Sequence, residues 1–126
     1  MESGEKRAVV DRYIEAFATG DLDIIRDIYA ADARVEDPVG TAPHQGIEAV
    51  CAFYKGALDT GATLALTGEP RCAGNAVAFP FTVQMPGMTI QVIDVFEFDD
   101  AGKIASMRAY WGPENIVRPD SGSGAS

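Results

Sequence analysis

Asp94 is the one charged side chain on an otherwise apolar strand face. In the stretch Met88-Thr89-Ile90-Gln91-Val92-Ile93-Asp94-Val95-Phe96-Glu97-Phe98, a two-residue period puts Met88, Ile90, Val92, Asp94, Phe96 and Phe98 on one side. An isolated ionised carboxylate is too costly to bury. Asp94 must therefore be paired, solvated or kept protonated by a raised pKa. A perturbed acid in an apolar wall is a candidate functional group, and its chemistry would be that of the proton it keeps or gives up. A place near a barrel mouth or against a buried Arg accounts for it equally well. Asp37 is the second acid of interest. It shares the phase of Val35 in the extended run Ala33–Asp37, which Pro38 closes. From spacing alone, a loop acid capping the turn before Pro38 is the simpler reading. Glu36, in the opposite phase, reads as solvent-facing. Tyr13, Tyr29 and Tyr54 fall on the apolar sides of predicted helices. Buried tyrosines seek hydroxyl partners, so three near one acid would form a hydrogen-bond network. Taken singly, each is an ordinary core aromatic.

The elements that must position these groups follow from periodicity. Val10, Tyr13, Ile14 and Phe17 recur at helical spacing, which predicts a first helix over roughly 5–18. Thr19-Gly20 ends it, and Asp21 caps a second helix whose face is Leu22, Ile25, Ile28 and Tyr29, ending near Ala30 or Ala31. Val39 to Gln45 reads as a loop, with His44 a surface residue. A third helix over about 46–59 carries Ile47, Val50, Cys51, Phe53, Tyr54, Ala57 and Leu58 on one side. Strands follow: Thr63 to Thr67, a short Arg71 to Ala73, and Val77 to Met85. Pro80 marks an edge or bulge in the last of these. Pro86-Gly87 makes a tight hairpin into the Asp94 strand, and Asp99 to Gly102 turns into a last strand, Lys103 to Trp111. Met107 and Trp111 share one phase of it. The tail 119–126 reads as disordered, leaving one domain over 1–118. Helices first and a strand meander after them imply an α+β fold, three helices on one face of a curved, mostly antiparallel sheet. Such a layer leaves a conical cavity into which Asp94 would point.

Other function classes are excluded or unsupported. A net charge of −9 argues against a nucleic-acid partner, which needs clustered Lys and Arg. No apolar run is long enough to span a membrane, and the N-terminus lacks a signal peptide's hydrophobic segment, so a cytoplasmic location is expected. Cys51 and Cys72 fall in different elements and read as small buried hydrophobes. There is no glycine-rich phosphate loop, nucleophile elbow or metal-binding histidine pair. No cofactor or metal is expected.

The order of several segments resembles bacterial ketosteroid isomerase, within the NTF2-like cone superfamily. They are Arg12-Tyr13-Ile14, Gly20-Asp21-Leu22, Tyr29-Ala30, Val35-Glu36-Asp37-Pro38-Val39-Gly40, Phe53-Tyr54, Pro80-Phe81, Val92-Ile93-Asp94-Val95 and Ala109-Tyr110-Trp111. The likeness runs from about residue 5 to residue 117. It implies that Asp37 is a general base and that Tyr13 and a protonated Asp94 donate to an oxyanion, with Tyr29 and Tyr54 extending the network. A carboxylic acid kept neutral by apolar surroundings so that it can donate a hydrogen bond is the known device of that enzyme. Phe17, Val35, Phe53, Leu58, Phe79, Phe81, Ile90, Val92, Met107 and Trp111 match its apolar, substrate-binding wall. The reaction implied moves the double bond of a 3-oxo-Δ5-steroid into conjugation. The Pro86-Gly87 hairpin is shorter than in that family, which affects the pocket rim. Ile93 and Val95, apolar on the outer sheet face, suggest a homodimer. The alternatives are another enzyme on the same cone, such as a polyketide cyclase or a water-activating hydrolase, or a non-catalytic binding module.

Overall fold

A computed structural model describes residues 1–118; the predicted tail lies outside the described residues. Helix α1 spans Ser3–Thr19. At its start the Glu5 carboxylate accepts the Glu2 N–H at 2.8 Å, and Gly20 ends it in the left-handed region at φ 69°. Val10, Tyr13, Ala16 and Phe17 form its buried stripe. Helix α2, Leu22–Ile28, starts on Asp21, whose carboxylate accepts the Asp23 N–H at 2.9 Å. Helix α3, Ile47–Asp59, buries Val50, Cys51 and Tyr54.

Eight strands are seen among the described residues: β1 Tyr29–Glu36, β2 His44–Gln45, β3 Thr63–Leu66, β4 Arg71–Ala73, β5 Ala76–Met85, β6 Met88–Phe98, β7 Ile104–Tyr110 and β8 Ile116–Val117. Their order is β2-β1-β7-β6-β5-β3, with β4 also on β5 and β8 also on β6. The β1–β7 pair is parallel and the others are antiparallel. The α+β architecture is as expected: three helices cover one face of a mostly antiparallel sheet. The core lies between the layers, with Val35, Val77, Phe79, Phe96, Ile104 and Met107 fully buried on the sheet side.

Strand β6 alternates as its sequence dictates. Val92, Asp94, Phe96 and Phe98 are buried, while Gln91 and Ile93 are exposed. Pro80 sits between the β4 partners, which end at Ala78, and the β3 partners, which begin at Phe81. Its missing N–H therefore falls at a local edge, as a proline requires.

Four expectations need correction. Helix α2 stops at Ile28, and Tyr29 opens β1 opposite Ile104 of β7. The helical face and the strand both bury residue 29, so periodicity could not separate them. Trp111 lies just past the end of β7, and Asp37 just past the end of β1. Glu36 is half-buried rather than solvated, because one carboxylate oxygen accepts the Gly40 N–H at 3.0 Å and folds the side chain over the loop.

Candidate active site

Asp94 stands at the centre of the sheet, paired with Phe79 of β5 on one side and Ala109 of β7 on the other. It is 1% exposed, and neither carboxyl oxygen has a hydrogen-bond partner among the described residues. Burial is the main reason its pKa lies well above the usual aspartate range. The charge of Asp37 adds to the shift, and the neighbouring Tyr13 hydroxyl weakly opposes it.

Asp37 reaches the same space from the end of β1. Its loop is fastened to the sheet by the Val39 N–H, which donates to the Ala109 carbonyl at 2.8 Å. The Trp111 indole N–H donates to Asp37 Oδ1 at 2.8 Å. Because β1 and β7 run parallel, the residues just beyond their ends meet. Burial raises the Asp37 pKa, whereas the indole N–H and, less strongly, His44 hold it down. His44, expected on the surface, sits in β2 and stacks on Phe53 with ring centroids 4.4 Å apart.

The three tyrosines come from α1, β1 and α3 and meet through their hydroxyls. Tyr54 is the middle member, 3.1 Å from Tyr13 and 2.5 Å from Tyr29. Burial foremost keeps all three phenols protonated far above their ordinary range. Edge-on contacts with Phe17 and Phe96 fix the Tyr13 ring.

A cavity of about 230 Å³ joins Tyr13, Asp37, Tyr54, Asp94 and Trp111. Of the predicted wall, Phe17, Phe53, Phe81, Ile90, Val92 and Trp111 line it. Val35, Phe79 and Met107 are fully buried core residues outside the lining, as is the buried Tyr29. Leu58 is not in the lining either, because one step along α3 turns it about 100° from Ala57, which is. Sequence reading missed Ala57, Thr60, Ala62, Leu64, Val83 and Met85. Val83 and Met85 continue the alternation of Phe81 and could have been found that way.

Chemically, the cavity offers two carboxyl groups, Asp37 on an indole N–H and the more strongly shifted Asp94 without a partner, beside a phenol and in apolar surroundings. No group of His, Cys, Asp and Glu able to hold a metal is seen among the described residues. Cys51 is buried, Cys72 is half-buried, and both are free.

The acid also links folding to pH. Between the ordinary aspartate value of 3.8 and the raised folded value, the native state keeps a proton that the unfolded chain has lost. Stability therefore falls as pH rises through that window. Urea midpoints should decline across it, and Asp94→Asn should flatten the slope. An unchanged slope would mean that Asp94 is ionised in the folded protein.

Comparisons place the chain among known proteins. Residues 10–107 match the SnoaL-like domain family. The chain is 38% identical over 119 residues to the steroid Delta-isomerase of Nocardioides simplex, covering 91% of this chain and 96% of that one. It is 33% identical over 117 residues to the epoxide hydrolase LasB of Streptomyces lasalocidi, covering 85% of this chain and 41% of that one. A solved structure of the epoxide hydrolase/cyclase-like enzyme SalBIII, described in connection with pyran ring formation in the polyether salinomycin, superposes with a TM-score of 0.86 at 27% identity. That match covers 93% of this chain and 98% of the other.

Proposed function

We propose that this chain, which belongs to the SnoaL-like domain family, is an isomerase that moves the double bond of 3-oxo-Δ5-steroids into conjugation with the ketone. The observation that carries this reading is the unpartnered, fully buried Asp94 sharing an apolar cavity with Tyr13 and Asp37. The steroid isomerase relative supports it. The ketone oxygen lies against Tyr13 and Asp94. Asp37 takes a proton from the carbon between ketone and alkene, and the electrons move into a dienolate. Its oxyanion accepts hydrogen bonds from the Tyr13 hydroxyl and the Asp94 carboxylic acid. These donors are already in place, and the apolar walls exclude competing water. Asp37 then returns the proton to the far end of the dienolate, which gives the conjugated enone. The substrate's own carbonyl takes up the charge, so no cofactor is needed. Tyr54 and Tyr29 support Tyr13 from behind. The cavity takes the ketone end of the steroid. The test is to add a 3-oxo-Δ5-steroid and follow conjugated-enone absorbance. No absorbance change above buffer would reject the reading.

The pH dependence follows from the two shifts. Activity needs Asp37 ionised and Asp94 protonated. It falls at low pH as Asp37 gains its proton and at high pH as Asp94 loses its own. Trp111→Phe removes the N–H that holds Asp37 down, so the acid limb of kcat/KM should move to higher pH. An acid limb that stays in place would detach Trp111 from the base.

A homodimer belongs to the same proposal. On the outer sheet face Ile93 is 48% and Tyr110 46% exposed, beside an open groove of about 680 Å³ that also borders Pro80 and Gln91. Light scattering at micromolar concentration should give twice the chain mass, and Ile93→Glu should lower it. A monomeric native protein would remove this element. Cytoplasmic action is part of the proposal as well. No helix among the described residues is long and apolar enough to cross a membrane.

One observation favours a second reaction at this site. The Asp94 O–H is uncommitted, so it can be transferred as well as shared. With Asp37 as base, the pair is equipped to open an epoxide, the substrate class named for two of the similar proteins.

A further inference from the structure

We propose that Glu36 is a positioning residue for Asp37: from the outer side of the sheet its carboxylate clasps the loop that carries the base. The inference rests on the isomerase reading and adds to it a residue outside the cavity.

Glu36 is the last residue of β1, and Asp37 is the first beyond it. Asp37 borders the cavity, whereas Glu36 does not. Glu36 instead pairs with Arg108 of β7, whose side chain is exposed on the outer face. A turn follows the base. The Pro38 carbonyl accepts the Thr41 N–H at 3.1 Å and the Thr41 hydroxyl at 2.7 Å. Gly40 lies within that turn at φ 101°, a conformation that a side chain disfavours. From there its N–H donates to Glu36 Oε2 at 3.0 Å, which closes a ring around Asp37, Pro38 and Val39.

Two contacts on the other side of the loop come from β7 and its continuation. They are the Val39 N–H on the Ala109 carbonyl and the Trp111 N–H on Asp37. Neither fixes the turn against β1, the strand from which Asp37 emerges. The Glu36 bond does, and a carboxylate acceptor makes it stronger than a neutral one. Glu36 is itself steadied: its side chain is only 17% exposed, and the Arg34 guanidinium stands 3.9 Å from its other oxygen. In the proposed reaction Asp37 must sit over one carbon to take the proton and over another to return it. A misplacement of about 1 Å in such a group costs about 10²-fold in rate. Glu36 does not touch the substrate, so its effect belongs in kcat and not in KM.

Reach and charge can be separated at this position. Glu36→Gln keeps the length and an accepting oxygen without the charge. Glu36→Asp keeps the charge but is one methylene shorter, and Glu36→Ala lacks both. Each leaves at most the exposed Gly40 N–H to water, so all should fold, with thermal midpoints near native. A second readout needs no turnover. Trp111 is the one tryptophan of the chain, so its indole N–H gives a single proton signal. Because that N–H is bonded to Asp37, its hydrogen exchange follows the steadiness of the loop. Glu36→Ala and Glu36→Asp should lower kcat for steroid isomerisation about ten- to hundred-fold, with KM within a few-fold of native and indole exchange several-fold faster. Glu36→Gln should stay near native in both. A native kcat in Glu36→Ala would overturn the proposal. So would equal losses in Glu36→Gln and Glu36→Asp, or a loss of kcat with indole exchange unchanged. If the native protein turns over no steroid, the isomerase reading fails, and the exchange rates alone decide the clasp: faster in Glu36→Ala and Glu36→Asp upholds it, and unchanged overturns it.

Discussion

Asp37→Asn is expected to lower kcat for steroid isomerisation by about 10²–10⁴-fold, the range that a positioned general base supplies. Among the side chains lining the cavity, Asp37 is the one acid that the indole N–H of Trp111 and His44 stabilise in its charged form. Burial raises the pKa of the other acid, Asp94, well above the usual aspartate range, which disfavours its serving as the base in the proposed reaction. An asparagine can still accept the indole N–H through its amide oxygen. The loop beyond it stays tied by Val39 to the Ala109 carbonyl. The thermal midpoint should therefore stay close to native while turnover collapses. Steady-state rates of enone formation at saturating steroid make the measurement. A kcat within a few-fold of native would mean that Asp37 does not carry the proton.

Asp94→Ala should cost about 10²–10³-fold in kcat, the usual effect of deleting one donor to an oxyanion. Asp94→Asn should cost clearly less, since an amide N–H can still point at the same oxygen. The order matters more than either value, because an ionised Asp94 would repel the dienolate and its removal would help. Neither change strands a partner in the free protein, because neither carboxyl oxygen has one. Both variants should therefore fold. If Asp94→Ala outperforms Asp94→Asn, the neutral-donor assignment falls, and Tyr13 would be the remaining oxyanion donor.

The parts of this picture legible from local sequence are those written with a short period. Strand β6 announces its faces through alternation, and Asp94 stands out because it breaks an apolar row. The stripe of Val10, Tyr13 and Phe17 on α1 is equally plain. What depends on partners far along the chain is hidden. Tyr29 completes a helical face with Leu22, Ile25 and Ile28, yet it pairs with Ile104, which no local pattern reveals. The same parallel pairing brings Trp111 to Asp37, and without it Asp37 reads as a turn acid. Only the likeness to a known family raised it to a site residue. Leu58 shows the limit from the other side. Amphipathicity marks an inward face, but which inward residue borders the hollow depends on about 100° of rotation per residue. Strand β8 is a two-residue pairing against Thr89 and Ile90 with no sequence signal of its own.

The pairing of β6 has a consequence for tempo. Its C-terminal part lies between β5 and β7, and its first part between β5 and β8, so it has a neighbour on each side along most of its length. Asp94 thus rides on a segment that can shift only if several ladders open together. Asp37 rides on a chain that has just left the sheet and is moored by single contacts. In the proposed reaction the acid on the doubly flanked strand would steady charge and the acid beyond the sheet's edge would carry the proton, so the division of labour would be matched by the stiffness of the backbone.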